Sequence, residues 1–224
     1  MSVHLTNLLA RIPEERDLYS IMELVAICDR AEHGIADSSI EELQAHWRNH
    51  NFQLASDAWV IVTGKRQFVG FGCVCHRDYE EYHIFICVHP GFRKRGIGTL
   101  LLRLIEDHAR QQIHNALPDV KVCLKGLVSS NNTEACNLFE REGYTLAREF
   151  WRVKVEMDEA GEHIRYDGKL KLDMQIESRQ LVGAAPLYDR EGVYSVRRYC
   201  EYEKELRPAQ ALVPCESVCL SATC

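Results

Sequence analysis

The chain lacks two features that would place it in a membrane or send it out of the cell. No eighteen consecutive residues are apolar, and the opening MSVHLTNLLARIPEERD has no apolar run long enough for a signal-peptide core. Basic charge is also scarce, because 27 Lys and Arg face 33 Asp and Glu, for a formal net charge of −6. Binding to nucleic acid or to an anionic membrane as a main task requires a basic excess. We therefore expect a soluble cytoplasmic protein with neither partner.

Disulfides and metal sites are the next classes that the sequence argues against. The chain has ten cysteines but no export signal, which favours reduced thiols over disulfides. Cys73, Cys75 and His76 resemble part of a metal site, but no second ligand pair follows at zinc-site spacing. We therefore predict no metal and interpret these cysteines as small apolar side chains. The 224 residues, 46% of them hydrophobic, suffice for one large domain or one domain with an appendage.

Apolar periodicity divides the first 157 residues into alternating helices and strands. A helix is predicted after Pro13, ending at Gly34, and a second from Ser38 or Ser39 to about His50. Three strands follow, AWVIVTG, QFVGFGCVCHR and YEEYHIFICVHP. The remainder is predicted to be helix, strand, helix and strand: TLLLRLIEDHARQQ, VKVCLKGL, NTEACNLFEREG and YTLAREFWRVKVEM. The predicted order up to Met157 is ααβββαβαβ.

A basic, glycine-containing turn, Arg93-Lys94-Arg95-Gly96-Ile97-Gly98, joins a predicted strand to a predicted helix. Free backbone N–H groups and the dipole at a helix start favour an anion, and glycine lets a phosphate approach the backbone. The turn is neither a GxxxxGK[ST] loop nor a GxGxxG fingerprint, since Leu101 stands where the third glycine would be. The alternative is a tight turn with a solvated basic edge.

Two motifs in this order resemble the GNAT acetyltransferase superfamily. VHPGFRKRGIGTLLL resembles its acetyl-CoA motif R/Q-x-x-G-x-G/A, and Asn132-x-x-Ala135-x-x-Leu138-Phe139-x-x-x-Gly143-Tyr144 resembles its later N-x-x-A-x-x-L-Y-x-x-x-G-F motif. The resemblance covers residues 1–157 and implies a GNAT domain of the α/β (α+β) class, a mixed central sheet flanked by helices. FWRVKVEM and the opening helices also resemble one half of tandem GNAT proteins such as mycothiol synthase.

The resemblance implies a site for acetyl-CoA as co-substrate. Backbone groups of Ile86, Cys87 and Val88 would bind the pantetheine arm and polarise the thioester, and the turn would bind the pyrophosphate. Asn132 would hydrogen-bond the cofactor, although an asparagine at this place is also an ordinary helix N-cap. The implied cofactor-binding residues are Ile86, Cys87, Val88, Arg93, Lys94, Arg95, Gly96, Ile97, Gly98, Thr99, Asn132 and Phe139.

Two catalytic groups that family members often use are missing. The tyrosine that protonates the leaving thiolate is here Phe139, and a glutamate that precedes the asparagine by five residues in N-terminal acetyltransferases is here Leu127. The predicted catalytic residues are therefore His83, Glu81 and Tyr82 on the strand YEEYHIF. Cys136 is either near the cofactor sulfur or a buried spectator. The family layout further suggests that Glu32, His33 and Trp47 line the acceptor pocket.

A sequence echo suggests a partial second unit at the end of the chain. LFEREG at 138–143 returns as LYDREG at 187–192, and at the same offset Arg197 falls under Arg148 and Tyr199 under Phe150. We predict a domain at 1–157, a degenerate β-α-β half-unit at 162–206 and a flexible tail at 207–224. The half-unit is expected to dock in the same chain, the alternative being exchange in a homodimer, and the domain at 1–157 is expected to keep the acetyl-CoA site without it.

The predicted function is transfer of an acetyl group from acetyl-CoA to a primary amine by direct attack in a ternary complex. The alternative is a catalytically weak acyl-CoA-binding or regulatory module, which the absence of a tyrosine at Phe139 and of a glutamate at Leu127 would explain. No residue pattern distinguishes a small amine, an antibiotic, a thiol-precursor amine or a protein N-terminus as the acceptor, and the sequence does not decide between a monomer and a homodimer.

Overall fold

The computed structural model describes residues 7–36, 38–157, 170–177 and 193–209, which form one mixed sheet flanked by helices. The strands are β1 Leu8–Arg11, β2 Ala58–Thr63, β3 Phe68–Arg77, β4 Glu81–Val88, β5 Val122–Ser129, β6 Thr145–Met157, β7 Leu170–Glu177 and β8 Val193–Arg207. The helices are α1 Leu18–His33, α2 Ile40–Trp47, α3 Leu54–Asp57, α4 Ile97–Gln112 and α5 Thr133–Arg141. Short 3₁₀ turns occupy Glu15–Asp17, Pro90–Phe92 and Ile113–Asn115. The predicted fold class is confirmed.

The sheet opens between its two parallel strands. Its order is β1-β2-β3-β4-β5-β8-β6-β7, and β4 and β5 run parallel whereas the other neighbours are antiparallel. Pairing between β4 and β5 covers only Glu81–Ile84 against Cys123–Gly126. The later residues, 85–88 of β4 and 127–129 of β5, do not pair with each other. We call the opening between them the β4–β5 gap.

Helices cover both faces of the sheet. Cys28 and Leu24 of α1 share a buried apolar cluster with Phe71 of β3 and Cys87 of β4 on one face. On the other face Ile105 of α4 and Phe139 of α5 share a cluster that includes Leu124, Ile84 and Tyr202, from β5, β4 and β8. Each strand residue therefore faces either the α1 side or the α4/α5 side, according to the two-residue alternation of a strand.

Local signals place the helices close to their predicted positions. Gly34 ends α1 with φ 80°, a left-handed conformation that glycine adopts without strain. Ser39 caps α2, since its hydroxyl accepts from the Glu42 N–H at 3.1 Å and the Glu42 carboxylate accepts from the Ser39 N–H. Asn132 caps α5 by accepting from the Ala135 N–H at 3.0 Å. Strand β1 was not predicted, because four residues are too few for an alternating pattern to show.

The C-terminal residues revise the predicted domain boundary. The strands predicted in 162–206 are present as β7 and β8, but β8 lies inside the sheet, with β5 on one side and β6 on the other. Residue 157 is therefore not a break in the sheet, and residues 193–207 complete the structure that residues 7–157 begin. They pair in the same chain, within the sheet rather than at its end. The helix predicted near LYDREG lies outside the described residues, so the repeat itself stays a prediction.

Two further findings apply to the described ranges alone. No helix there is both long enough and apolar enough to cross a membrane. Nor does that part of the chain bring together three or more His, Cys, Asp or Glu side chains around a point where a metal ion would fit.

Candidate active site

The β4–β5 gap presents backbone groups of β4 that do not pair with β5. The His89 N–H donates to the Val69 carbonyl on β3 at 3.0 Å, and alternate residues of an antiparallel strand point to the same neighbour. The backbone groups of Cys87 therefore face β3, whereas those of Ile86 and Val88 face the gap. Of the three residues predicted to bind the pantetheine arm, the geometry supports the Ile86 backbone and the Val88 N–H as partners and assigns Cys87 to the sheet. The Val88 carbonyl already accepts from Cys28 Sγ and Arg93 Nε.

The glycine turn leads directly from β4 to the first turn of α4. Gly96 has φ 86° and Lys94 has φ 62°, so the chain reverses sharply before Ile97. The N–H groups of the first helical turn have no intrahelical acceptor, which leaves them available to an anion. Gly98 allows α4 to pack closely on α5, because a Cβ at this position would lie 2.9 Å from Leu138 Cδ2. Thr99 Oγ1 accepts from Arg141 Nη2 at 3.0 Å.

The three basic residues of the turn have different surroundings. Arg93 points inward, where Nη2 donates to Glu32 Oε1 at 2.7 Å and Nε donates to the Val88 carbonyl at 3.3 Å. Lys94 is exposed and lies 2.9 Å from Glu134 Oε1. The Arg95 guanidinium lies over the Phe92 ring, 4.8 Å from its centroid. Lys94 and Arg95 thus supply accessible charge, whereas Arg93 ties the turn to α1.

Glu32 connects three elements around the mouth of the gap. Its Oε1 accepts from Arg93 of the turn and, at 2.6 Å, from Asn132 Nδ2 at the start of α5. Its backbone carbonyl accepts from Asn131 Nδ2 at 3.1 Å. Burial raises the pKa of this carboxyl, and the nearby Arg93 charge and the Asn132 hydrogen bond oppose that rise. The last turn of α1 is therefore bonded to both motifs that the sequence singled out.

The predicted catalytic residues lie at the other end of β4. Tyr82 is 1% exposed on the α4/α5 side, and burial raises the pKa of its phenol to about 12, so it is not placed to take a proton in the gap. Glu81 is hydrogen-bonded to Lys125 at 2.5 Å, which lowers the pKa of its carboxyl. His83 is half-exposed and its Nε2 lies 3.8 Å from Glu81. His83 and Glu81 precede Val88 by five and seven residues, roughly 16 and 23 Å along a strand.

Phe139 is a packing residue. It is 4% exposed, and a Cβ on Gly126 would lie 2.1 Å from its ring, so the ring sits directly against the backbone of β5. Tyr202 of β8 stacks on it with centroids 5.6 Å apart. The Tyr202 hydroxyl donates to Glu140 at 2.9 Å and is therefore not directed to a leaving group. The hydroxyl that is missing at Phe139 is not replaced by this neighbour.

Two buried cysteines lie beside the gap. Cys28 Sγ donates to the Val88 carbonyl at 3.3 Å, which holds α1 against the end of β4. A hydrogen bond with Cys28 and burial together raise the pKa of the Cys87 thiol, which keeps it protonated. Cys136 of α5 lies with Sγ 4.0 Å from the Ser129 carbonyl. A protonated thiol at Cys87 is a poor nucleophile, which argues against an acyl-cysteine step there.

The α1 side of the gap has an exposed apolar rim. Phe85 of β4 and Leu127 of β5 are 42% and 43% exposed, and both lie just beyond the last residues that pair β4 with β5. Phe85 contacts Phe71 of the α1-side cluster, with ring centroids 6.1 Å apart. The His33 ring lies 6.0 Å from that of Tyr199, whereas Trp47 packs into the core, with an Nε1 that finds no acceptor in the described parts of the chain. Of the three residues expected to line the acceptor pocket, Glu32 and His33 lie around this opening.

The contacts that sequence reasoning missed are long-range. Glu32 and Arg93 are 61 positions apart, and Glu32 and Asn132 are 100 apart. Tyr202 enters the Phe139 environment from a strand that was assigned to a separate unit. The sequence motifs marked Arg93 and Asn132 as functional candidates, but they did not indicate that both residues contact Glu32.

Comparison with known proteins shows what the chain is similar to. Residues 55–146 match the family model described as acetyltransferase (GNAT) domain. A solved GCN5-related N-acetyltransferase from Sphaerobacter thermophilus superposes with a TM-score of 0.75 at 20% identity, over 92% of this chain and 98% of that one. No curated protein matches by sequence.

Two further structures have lower TM-scores. The ribosomal-protein-S18-alanine N-acetyltransferase of Escherichia coli has a TM-score of 0.53 at 14% identity, over 92% of this chain and 98% of that one. The spermidine N-acetyltransferase of Vibrio cholerae, solved with CoA and spermine, has a TM-score of 0.52 at 14% identity, over 89% and 96%. At such identities the likeness establishes the fold. The family model matches residues 55–146, from within α3 to the start of β6, so the likeness to GNAT acetyltransferase domains rests on this part of the chain.

Proposed function

We propose that the protein transfers an acetyl group from acetyl-CoA to a primary amine, by direct attack of the amine on the thioester. The observation that carries the proposal is the β4–β5 gap, which opens directly onto the first turn of α4. One continuous surface thus offers strand-like backbone partners for a pantetheine arm and N–H groups for a pyrophosphate. GNAT domains use acyl-CoA as donor, which supports this assignment.

Each part of the site has a distinct role in the proposed reaction. The Ile86 and Val88 backbone binds the pantetheine arm, and an N–H there polarises the thioester carbonyl by hydrogen bonding. The N–H groups of Ile97, Gly98 and Thr99 bind the pyrophosphate, with Lys94 and Arg95 as accessible charge. The acceptor approaches from the α1 side, past Phe85 and Leu127. Binding both reactants side by side supplies the proximity on which a ternary-complex mechanism depends.

A matched pair of substitutions at Gly96 tests the donor site. Gly96 has a positive φ, so any side chain adds strain there, but Asn and Asp tolerate this conformation better than other residues and differ in charge. We expect Gly96→Asp to weaken acetyl-CoA binding at least about tenfold relative to Gly96→Asn, because a carboxylate would face the pyrophosphate. Isothermal titration with acetyl-CoA measures both. If the two variants bind acetyl-CoA equally well, the pyrophosphate does not bind at this turn.

Turnover is tested with a panel of amines. The panel includes spermidine and a peptide with an N-terminal alanine, chosen because structures of similar fold are described as a spermidine N-acetyltransferase and a ribosomal-protein-S18-alanine N-acetyltransferase. Acetyl-CoA consumption and acetylated product are followed by mass spectrometry. Binding of acetyl-CoA without product on any amine would favour the second candidate, a catalytically weak acyl-CoA-binding module, which the buried and hydroxyl-free Phe139 supports.

A further inference from the structure

The contacts of Glu32 with Arg93 and Asn132 place its carboxylate at the mouth of the β4–β5 gap. Glu32 belongs to the last turn of α1, four residues after Cys28, whose thiol bonds the Val88 carbonyl at the end of β4. On its other side it bonds Asn132, which begins α5. The carboxylate therefore lies between the two elements that flank the gap, on the α1 side that the exposed Phe85 and Leu127 leave open.

The two oxygens of this carboxylate differ. Oε1 accepts from Arg93 at 2.7 Å and from Asn132 at 2.6 Å, which fixes the orientation of the group. Within residues 7–36, 38–157, 170–177 and 193–209, no hydrogen-bond donor contacts Oε2. The side chain is 17% exposed, so it is neither solvated like a surface glutamate nor sealed in the core. One oxygen positions the carboxylate and the other has unused capacity to accept a proton.

Two other carboxylates, Glu81 and Asp29, are already engaged. Glu81 is bonded to Lys125 at the far end of β4. Asp29, one turn before Glu32, accepts from Ser38 at 2.9 Å and lies 3.6 Å from Arg197. The titratable groups that face Glu32 are Arg93 of the turn, Asp29 and Cys28 of α1, and Cys87 of β4. Only Arg93 among them contacts the carboxylate directly.

We propose that Glu32 is the general base of the acetyl transfer, with Oε1 held by Arg93 and Asn132 and Oε2 receiving the proton of the acceptor ammonium. This inference rests on the proposed function. The ammonium first gives one proton to Oε2, and the amine nitrogen then attacks the thioester carbonyl carbon. The C–S bond breaks, the second nitrogen proton passes to the leaving sulfur as CoA thiol, and Glu32 releases its proton to water. A carboxyl pKa raised by burial makes Glu32 a stronger base than an exposed glutamate.

Glu32→Gln and Glu32→Ala separate catalysis from positioning. The Gln amide oxygen can still accept from Arg93 and Asn132 but has no useful basicity, whereas Ala loses both bonds. We expect Glu32→Gln to lower kcat at least about 100-fold with acetyl-CoA affinity changed less than threefold, the usual size of a general-base effect. The acid limb of the kcat/KM profile is expected to disappear. Glu32→Ala is expected to lose acetyl-CoA affinity as well. Glu23→Gln, on the exposed face of α1, is the matched control and is expected to behave as wild type.

The outcomes distinguish this inference from the proposed function. Wild-type turnover together with an equally active Glu32→Gln would overturn the role of Glu32 and leave the acetyltransferase assignment standing. If wild type acetylates no amine, the assignment itself fails, and a direct measurement still tests Glu32. Carbon-13 NMR of the glutamate carboxyls, assigned by the signal lost in Glu32→Gln, is expected to show titration above the range of the exposed glutamates. A Glu32 signal that titrates within or below that range would contradict the proposal.

Discussion

Asp57 shows how a single buried side chain stabilises this fold. Its carboxylate is 8% exposed and accepts from the Gln53 N–H at 2.8 Å and from Ser56 Oγ at 2.7 Å, and His108 Nε2 of α4 lies 3.1 Å from it. Burial alone would raise the pKa of this carboxyl, but the bonds with His108, Gln53 and Ser56 outweigh burial and lower it. A carboxyl with a lowered pKa in the folded state stabilises the protein most above its unfolded pKa, and the stabilisation is lost as pH falls.

Asp57→Asn is therefore expected to lower the free energy of unfolding by about 1–3 kcal/mol near pH 7. The difference from wild type should shrink as pH falls below about 4, where the unfolded carboxyl and then the folded carboxyl become protonated. Urea unfolding followed by circular dichroism at several pH values measures it. Asp107→Asn, next to His108 on the exposed face of α4, serves as control and should change little. If the difference in free energy of unfolding between wild type and Asp57→Asn does not change with pH, Asp57 stabilises the fold by packing and not by its charge.

At the scale of elements, Lys204 connects strand β8 to helix α4. Its Nζ donates to both carboxylate oxygens of Glu106 at 2.9 and 3.0 Å and to the Glu142 carbonyl at 2.8 Å. Glu106 is 5% exposed, and its other partner is Arg110 at 2.7 Å. A buried carboxylate that loses a partner keeps its desolvation penalty, so removal of Lys204 should cost more than removal of an exposed pair.

We expect Lys204→Met to lower the free energy of unfolding by about 1–3 kcal/mol. A double-mutant cycle with Glu106→Gln should give a coupling of at least about 1 kcal/mol, because the two groups are in direct contact. Lys121→Met removes the more exposed pair with Glu203 of the same strand and should cost less than about 1 kcal/mol. If Lys204→Met and Lys121→Met lower the free energy of unfolding equally, the contact between Lys204 and Glu106 stabilises the protein no more than an exposed ion pair does.

The sequence predicted those elements whose signals are local. Helices α1, α2, α4 and α5 and strands β2 to β6 follow from apolar periodicity, capping residues such as Ser39 and Asn132, and the left-handed glycines at 34 and 143. The glycine turn at the start of α4 followed from two glycines and three basic residues. The pairing of β8 between β5 and β6 did not follow, because register and strand order depend on contacts between residues far apart in sequence. For the same reason, Glu32 was named as a pocket residue without its partners.

At the scale of the whole molecule, the position of β8 changes what a truncation should do. The sequence suggested that residues 1–157 keep the donor site alone, but without β8 the strands β5 and β6 lose their shared neighbour, and Tyr202 leaves the cluster around Phe139. A chain that ends at residue 192 is therefore expected to be insoluble or unfolded and to bind no acetyl-CoA. A chain that ends at Ala209 keeps every described strand and should retain folding and binding. Circular dichroism, thermal melting and titration with acetyl-CoA compare the two. If the chain that ends at residue 192 folds and binds acetyl-CoA, β8 is not required and the predicted domain boundary at residue 157 stands.

An interior strand that is also the last of the described strands in chain order has a consequence for biosynthesis. As the chain leaves the ribosome, β5 and β6 emerge well before their common neighbour has been translated, and neither of their facing edges has its final partner in the meantime. The two edges remain available to each other, to other nascent chains and to chaperones until residues 193–207 appear. A stop codon or a ribosome stall between residues 157 and 193 should therefore give a chain with an unfinished sheet.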